Sequence, residues 1–81
     1  MNSQITNVSE SIDHEQTGNL FIREDRGLDE NEMVERTEFV VLYADSGEYA
    51  GNVSDGSDCT FETIEEARAY MARRVEELAD R

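Results

Sequence analysis

The sequence predicts a small α+β domain, an antiparallel sheet of two or three strands packed against one C-terminal helix. Three observations predict it. Glu38–Ala44 (EFVVLYA) is β-branched and aromatic and is apolar on both faces, the pattern of a sheet-centre strand covered on both sides. Thr63 followed by Glu66 is a capping box, and Ile64, Ala67, Met71, Val75 and Leu78 then recur at spacings of three and four, as the apolar stripe of a helix does. The chain has 81 residues, enough for one domain that hides about 60% of its unfolded surface, and too few for a core plus a deep cleft.

Residues 1–17 are polar, with sparse apolar residues (Ile5, Val8, Ile12). This composition predicts a flexible segment, so the folded domain is expected over residues 18–81. Asn19–Glu24 reads as a short strand, with Leu20 and Ile22 on one face and Phe21 and Arg23 on the other, between Gly18 and Gly27. Asp29 followed by Glu32 suits one or two helical turns through Met33 and Val34, with a long acidic loop as the alternative. After the central strand, Asp45-Ser46-Gly47 suits a tight turn with Gly47 left-handed. Glu48–Val53 then reads as a return strand, and Ser54–Cys59 as a turn-rich loop. On the outer face of the helix, Arg73 with Glu77 and Glu77 with Arg81 are spaced to pair.

Charge dominates the composition. Twenty acids face seven basic residues, all arginine, for a net charge of −13. Residues 1–62 hold fifteen acids and three arginines, whereas residues 63–81 hold five acids and four arginines. The negative field therefore belongs to the strands and loops. Such a field repels phosphates and anionic membranes, which excludes direct nucleic-acid and membrane contact, and attracts basic protein surfaces. Glu24, Asp25, Asp29, Glu30, Glu32, Glu35 and Glu38 form the densest stretch, and Asp45, Glu48, Asp55 and Asp58 extend it around the hairpin. These eleven are the candidate partner-binding residues.

Catalytic chemistry finds little support. His14 is the only histidine and falls in the expected flexible segment, where a general base lacks a fixed partner. Cys59 stands beside Asp58, which disfavours a thiolate, so it reads as a small, partly buried packing residue. Asn52, Asp55, Ser57, Asp58 and Glu62 lack the ligand order of a calcium loop. There is no phosphate-binding loop and no nucleophile elbow. Neither enzyme activity, a cofactor nor a metal is expected. Tyr43, Phe39 and Phe61 read as core, while Tyr49 and Tyr70 are placed to reach a surface. A single cysteine, no basic and apolar leader, and no apolar run of about 20 residues together suggest a cytoplasmic setting.

Short length, acid excess, a compact sheet–helix pattern and no catalytic signature together resemble the small acidic DNA-mimic inhibitors of phages and mobile elements, of the anti-restriction and anti-CRISPR kind. The resemblance is one of class and carries over no individual residue. It implies a non-enzymatic inhibitor in a host cytoplasm, whose partner is a CRISPR effector or nuclease with a basic nucleic-acid-binding surface. Thr37–Leu78, with Thr63-Ile64-Glu65-Glu66-Ala67 opening a helix after a hairpin, is also similar to HicB-type antitoxins. That similarity implies a protein-sequestering module and allows a homodimer. An acidic protein adapted to salt is the third reading of the same charge.

Overall fold

The computed structural model describes residues 8–28 and 34–79. Four strands and one helix follow in order: β1 (Val8–Thr17), β2 (Leu20–Leu28), β3 (Val34–Tyr43), β4 (Thr60–Phe61) and α1 (Ile64–Ala79). The strands form one antiparallel sheet in the order β1-β2-β3-β4. The α+β class and the C-terminal helix agree with the sequence-based expectation.

The sheet is larger than expected, with four strands. Part of the segment expected to be flexible is strand β1, joined to β2 by the two-residue turn Gly18–Asn19, across which Thr17 pairs with Leu20. Pairing compensates for the scarcity of apolar residues in β1. It is an edge strand with register shifts at Val8/Glu10 and Asp13/Gln16, and an edge strand needs little apolar surface of its own. β2 and β3 also run further than expected, pairing from Leu20↔Tyr43 to Leu28↔Val34. Gly27 lies within β2 rather than ending it, and Val34 belongs to β3, so no helical turn passes through it. Residues 29–33, where that turn was expected to start, lie outside the described residues.

Cross-strand partners share a face of the sheet. Leu20, Ile22 and Glu24 of β2 therefore share a face with Tyr43, Val41 and Phe39 of β3. The helix lies on this face. Its Ala67 and Met71 are buried there with Leu20, Ile22 and Val41, the Tyr70 ring meets Phe61 at 5.4 Å, and Arg74 reaches the Tyr43 hydroxyl at 3.5 Å. The other face carries Phe21, Arg23, Val40 and Leu42. The chain after β3 folds back against it, which is why Val40 and Leu42 are buried as completely as Val41.

That return is not the strand the alternation suggested. Tyr43 N–H donates to Glu48 O and Gly47 N–H to Tyr43 O, both at 2.8 Å, closing a turn that includes Ala44 as well as Asp45, Ser46 and Gly47. Gly47 is left-handed, as expected (φ 74°). One bridge, Leu42↔Tyr49, follows, and the backbone then bends away through Gly51. There Asp58 Oδ2 accepts the Asn52 N–H at 2.7 Å, and the Asp58 carboxylate fills the space a side chain at Gly51 would need. A single 3-10 turn over Ser57–Cys59 brings the chain to β4, which takes the edge position beside Phe39 and Val40.

The helix begins as its capping box predicts. Glu66 N–H donates to Thr63 Oγ1 at 3.3 Å, and Thr63 Oγ1–H donates to Glu66 Oε1 at 3.0 Å. Glu77 pairs with Arg74 at 3.4 Å, and Arg73 instead lies over the Tyr70 ring at 5.3 Å. Thr63→Ala removes the oxygen that satisfies a first-turn N–H. It is expected to cost about 1 kcal/mol of stability, read as a lower urea midpoint in circular dichroism. An unchanged midpoint contradicts the capping role.

Candidate protein-binding surface

Seven of the eleven acidic candidates separate into two groups once they are placed on the fold. Glu24 and Glu38 are turned inward, 7% and 4% exposed. Glu24 lies on the helix face of the sheet, where its carboxylate accepts from Arg26 Nε and lies 2.7 Å from His14 Nε2. Asp25 is on the other face, gripped by two bonds from Arg23 at 2.7 and 3.0 Å and approached by the Ser11 hydroxyl at 3.0 Å. Glu38 is its cross-strand neighbour and pairs with Arg36 at 3.4 Å. These three carboxylates are part of the architecture of the sheet and contribute no exposed acidic face. The cause lies in the strand period. Arg23 and Asp25 share a face, as do Glu24 and Arg26, so each acid meets an arginine two residues away.

The second group lies on the chain between β3 and β4. Asp45 and Glu48 are exposed on the turn after β3, with no ion pair among the described residues. Asp55 is exposed on the next loop, where its Oδ1 accepts the Ser57 N–H at 3.0 Å, and that bond holds its carboxyl below the usual range. Asp58 is half-buried and engaged with the Asn52 backbone. Between Arg36 and Arg68 the sequence contains no basic residue. Glu35 lies in β3, and Asp29, Glu30 and Glu32 lie outside the described residues.

Among the described residues, the large hydrophobics that are exposed, Tyr49 at 38% and Val53 at 43%, lie on this same stretch. Both line a groove of about 580 Å³ together with Arg23, Leu42, Glu48 and Asn52. The expectation that Tyr49 reaches the surface therefore holds. Tyr70 is half-buried, and its hydroxyl donates to Ala50 O at 2.8 Å. The groove itself had no signature in the sequence, because reading Glu48–Val53 as a strand gives Tyr49 and Val53 a shared face but no concavity. The Gly51-Asn52 pair was the available sign that the chain bends there.

His14 is held more firmly than its sequence context suggested. Besides Glu24, its ring meets Phe39 at 5.9 Å. Cys59 is fully buried, and burial with the Asp58 charge pushes its thiol up to about 11. It packs within the core, more deeply than the partly buried position expected. No group of three or more potential metal ligands forms among the described residues, and none of their helices is long and apolar enough to cross a membrane.

Burial alone pushes the Glu24 carboxyl up, but the hydrogen bonds from Arg26 and His14 outweigh it, and the net shift is downward. A carboxylate depressed on folding stabilises the fold above its unfolded value, and this contribution disappears as pH falls through the folded value. Wild type should therefore be more stable than Glu24→Gln at neutral pH, with the difference shrinking as the solution is acidified below the ordinary carboxylate range. A difference independent of pH, measured by urea titration across that window, contradicts the assignment.

No protein-family model matches the chain, and neither the curated proteins nor the solved structures yield a match.

Proposed function

We propose that this protein is a non-enzymatic inhibitor that offers an acidic surface to the basic nucleic-acid-binding site of a protein partner, a nuclease or CRISPR effector, and so competes with DNA or RNA there. The observation that carries this reading is that Asp45, Glu48 and Asp55 are exposed on the chain between β3 and β4 that also exposes Tyr49 and Val53, a stretch that contains no basic residue. The contact region on this reading is narrower than composition implied. It is the end of the molecule with the β3 turn and the loop to β4, while Glu24, Asp25 and Glu38 hold the sheet together. An interface with an aromatic anchor inside a charged rim gains affinity from the anchor, and association rate and selectivity from the rim.

Competition tests it. Host proteins retained on the immobilised protein should be enriched in DNA- and RNA-binding proteins, and excess duplex DNA should release them. Retained proteins that added nucleic acid does not displace contradict a shared site.

A further inference from the structure

Building on that reading, we propose that the groove beside the β3 turn receives an arginine side chain of the partner, its guanidinium lying over the Tyr49 ring and against the Glu48 carboxylate. Exposed apolar residues scattered singly over a surface carry no message. Here Tyr49 and Val53 line the same concavity.

The Tyr49 ring is also preset. It packs over Gly56, so closely that a Cβ there would lie 2.5 Å from Cδ1 and 2.6 Å from Cε1. A ring held in this way needs no further ordering when it binds. Its surroundings select a cation. Glu48 forms part of the wall, and Asp45 belongs to the same turn. The one basic residue lining the groove, Arg23, already donates two hydrogen bonds to Asp25, and the Asp25 bond holds it in its charged, paired form.

Arginine suits this site better than lysine. A planar guanidinium can stack on a ring while donating to a carboxylate, and its apolar stem can lie along Val53. The molecule uses the same contact elsewhere, with the Arg73 guanidinium 5.3 Å from the centre of the Tyr70 ring.

The test is a titration of isotope-labelled protein, at low salt, with capped peptides of six arginines, six lysines or six citrullines, followed by amide chemical shifts. Hexa-arginine should move Glu48, Tyr49, Asn52 and Val53 first and bind about fivefold tighter than hexa-lysine. Tyr49→Leu, which keeps a bulky side chain against Gly56, and Glu48→Gln, at an exposed position, should each weaken hexa-arginine about three- to tenfold. The uncharged citrulline peptide should leave the spectrum unchanged. Equal binding of the two cationic peptides at the loop end, indifferent to both substitutions, overturns the groove assignment and leaves the acidic-surface reading standing, whereas shifts spread equally over the helix acids overturn both. Absence of binding by either cationic peptide overturns both.

Discussion

Ile22→Ala is expected to lower the unfolding free energy by about 2–5 kcal/mol. Ile22 has no exposed surface. It pairs with Val41 at the centre of the sheet and shares the core with Ala67 and Met71 of α1. Truncation loses the transfer energy of the missing carbons and leaves a cavity between sheet and helix that neither side can close without breaking the β2–β3 ladder. A domain of 81 residues has about 4–12 kcal/mol to lose. The self-repulsion of thirteen net negative charges places this one towards the low end of that range. The variant should therefore hold a measurable unfolded fraction at low salt and recover much of its structure at about 1 M salt, where exposed charges are screened within about 3 Å. Urea titrations by circular dichroism at the two salt levels check this. A midpoint equal to that of wild type contradicts the placement of the core.

Gly56→Ala should be the most damaging single change outside the core, costing about 2 kcal/mol and disturbing the groove as well. Gly56 has φ 77°, a conformation that penalises any residue with a Cβ by about 1–2 kcal/mol. The new methyl group would also press on the Tyr49 ring. The position organises the whole loop. Gly56 N–H donates to Val53 O at 3.0 Å, and Gly56 O accepts from Cys59 N–H at 3.2 Å and from the Thr60 hydroxyl at 2.7 Å. A lower melting temperature together with changed Tyr49 ring-proton shifts is the expected result. A loss of stability with the ring shifts intact contradicts the contact between Gly56 and Tyr49.

The elements that could be read from the sequence were those whose signal is local. The capping box and the three- and four-residue stripe defined α1 at its start and on its buried face, and the β-branched run from Phe39 to Tyr43 marked the centre of β3. The features that could not be read this way depend on contacts between distant segments. β1 is polar and becomes a strand by pairing with β2, although Gly18-Asn19 between Thr17 and Leu20 is a hairpin signal that extends the sheet once it is recognised. The return after β3 failed as a strand because Asp58, six residues after Asn52, captures the Asn52 backbone N–H that a ladder would have used.

The acidic surface was readable in kind but not in location. Net charge shows a field, whereas the arginines Arg23, Arg26 and Arg36 decide which carboxylates remain outward. Their effect follows from faces of the sheet rather than from distance along the chain. Asp25 and Glu38 are thirteen residues apart in sequence yet stand opposite each other on β2 and β3.

The central claim is that position, and not total charge, makes this protein a binder. The most direct measurement compares two double variants with the same change in net charge: Asp45→Arg with Glu48→Arg at the loop end, and Glu65→Arg with Glu76→Arg on the helix. Recovery of nucleic-acid-binding proteins from host extract is measured for each at about 0.05 and about 0.5 M salt. The loop-end variant should lose at least about tenfold at the lower salt while the helix variant stays near wild type. Equal losses in both variants, or none in either, would contradict a localised acidic surface.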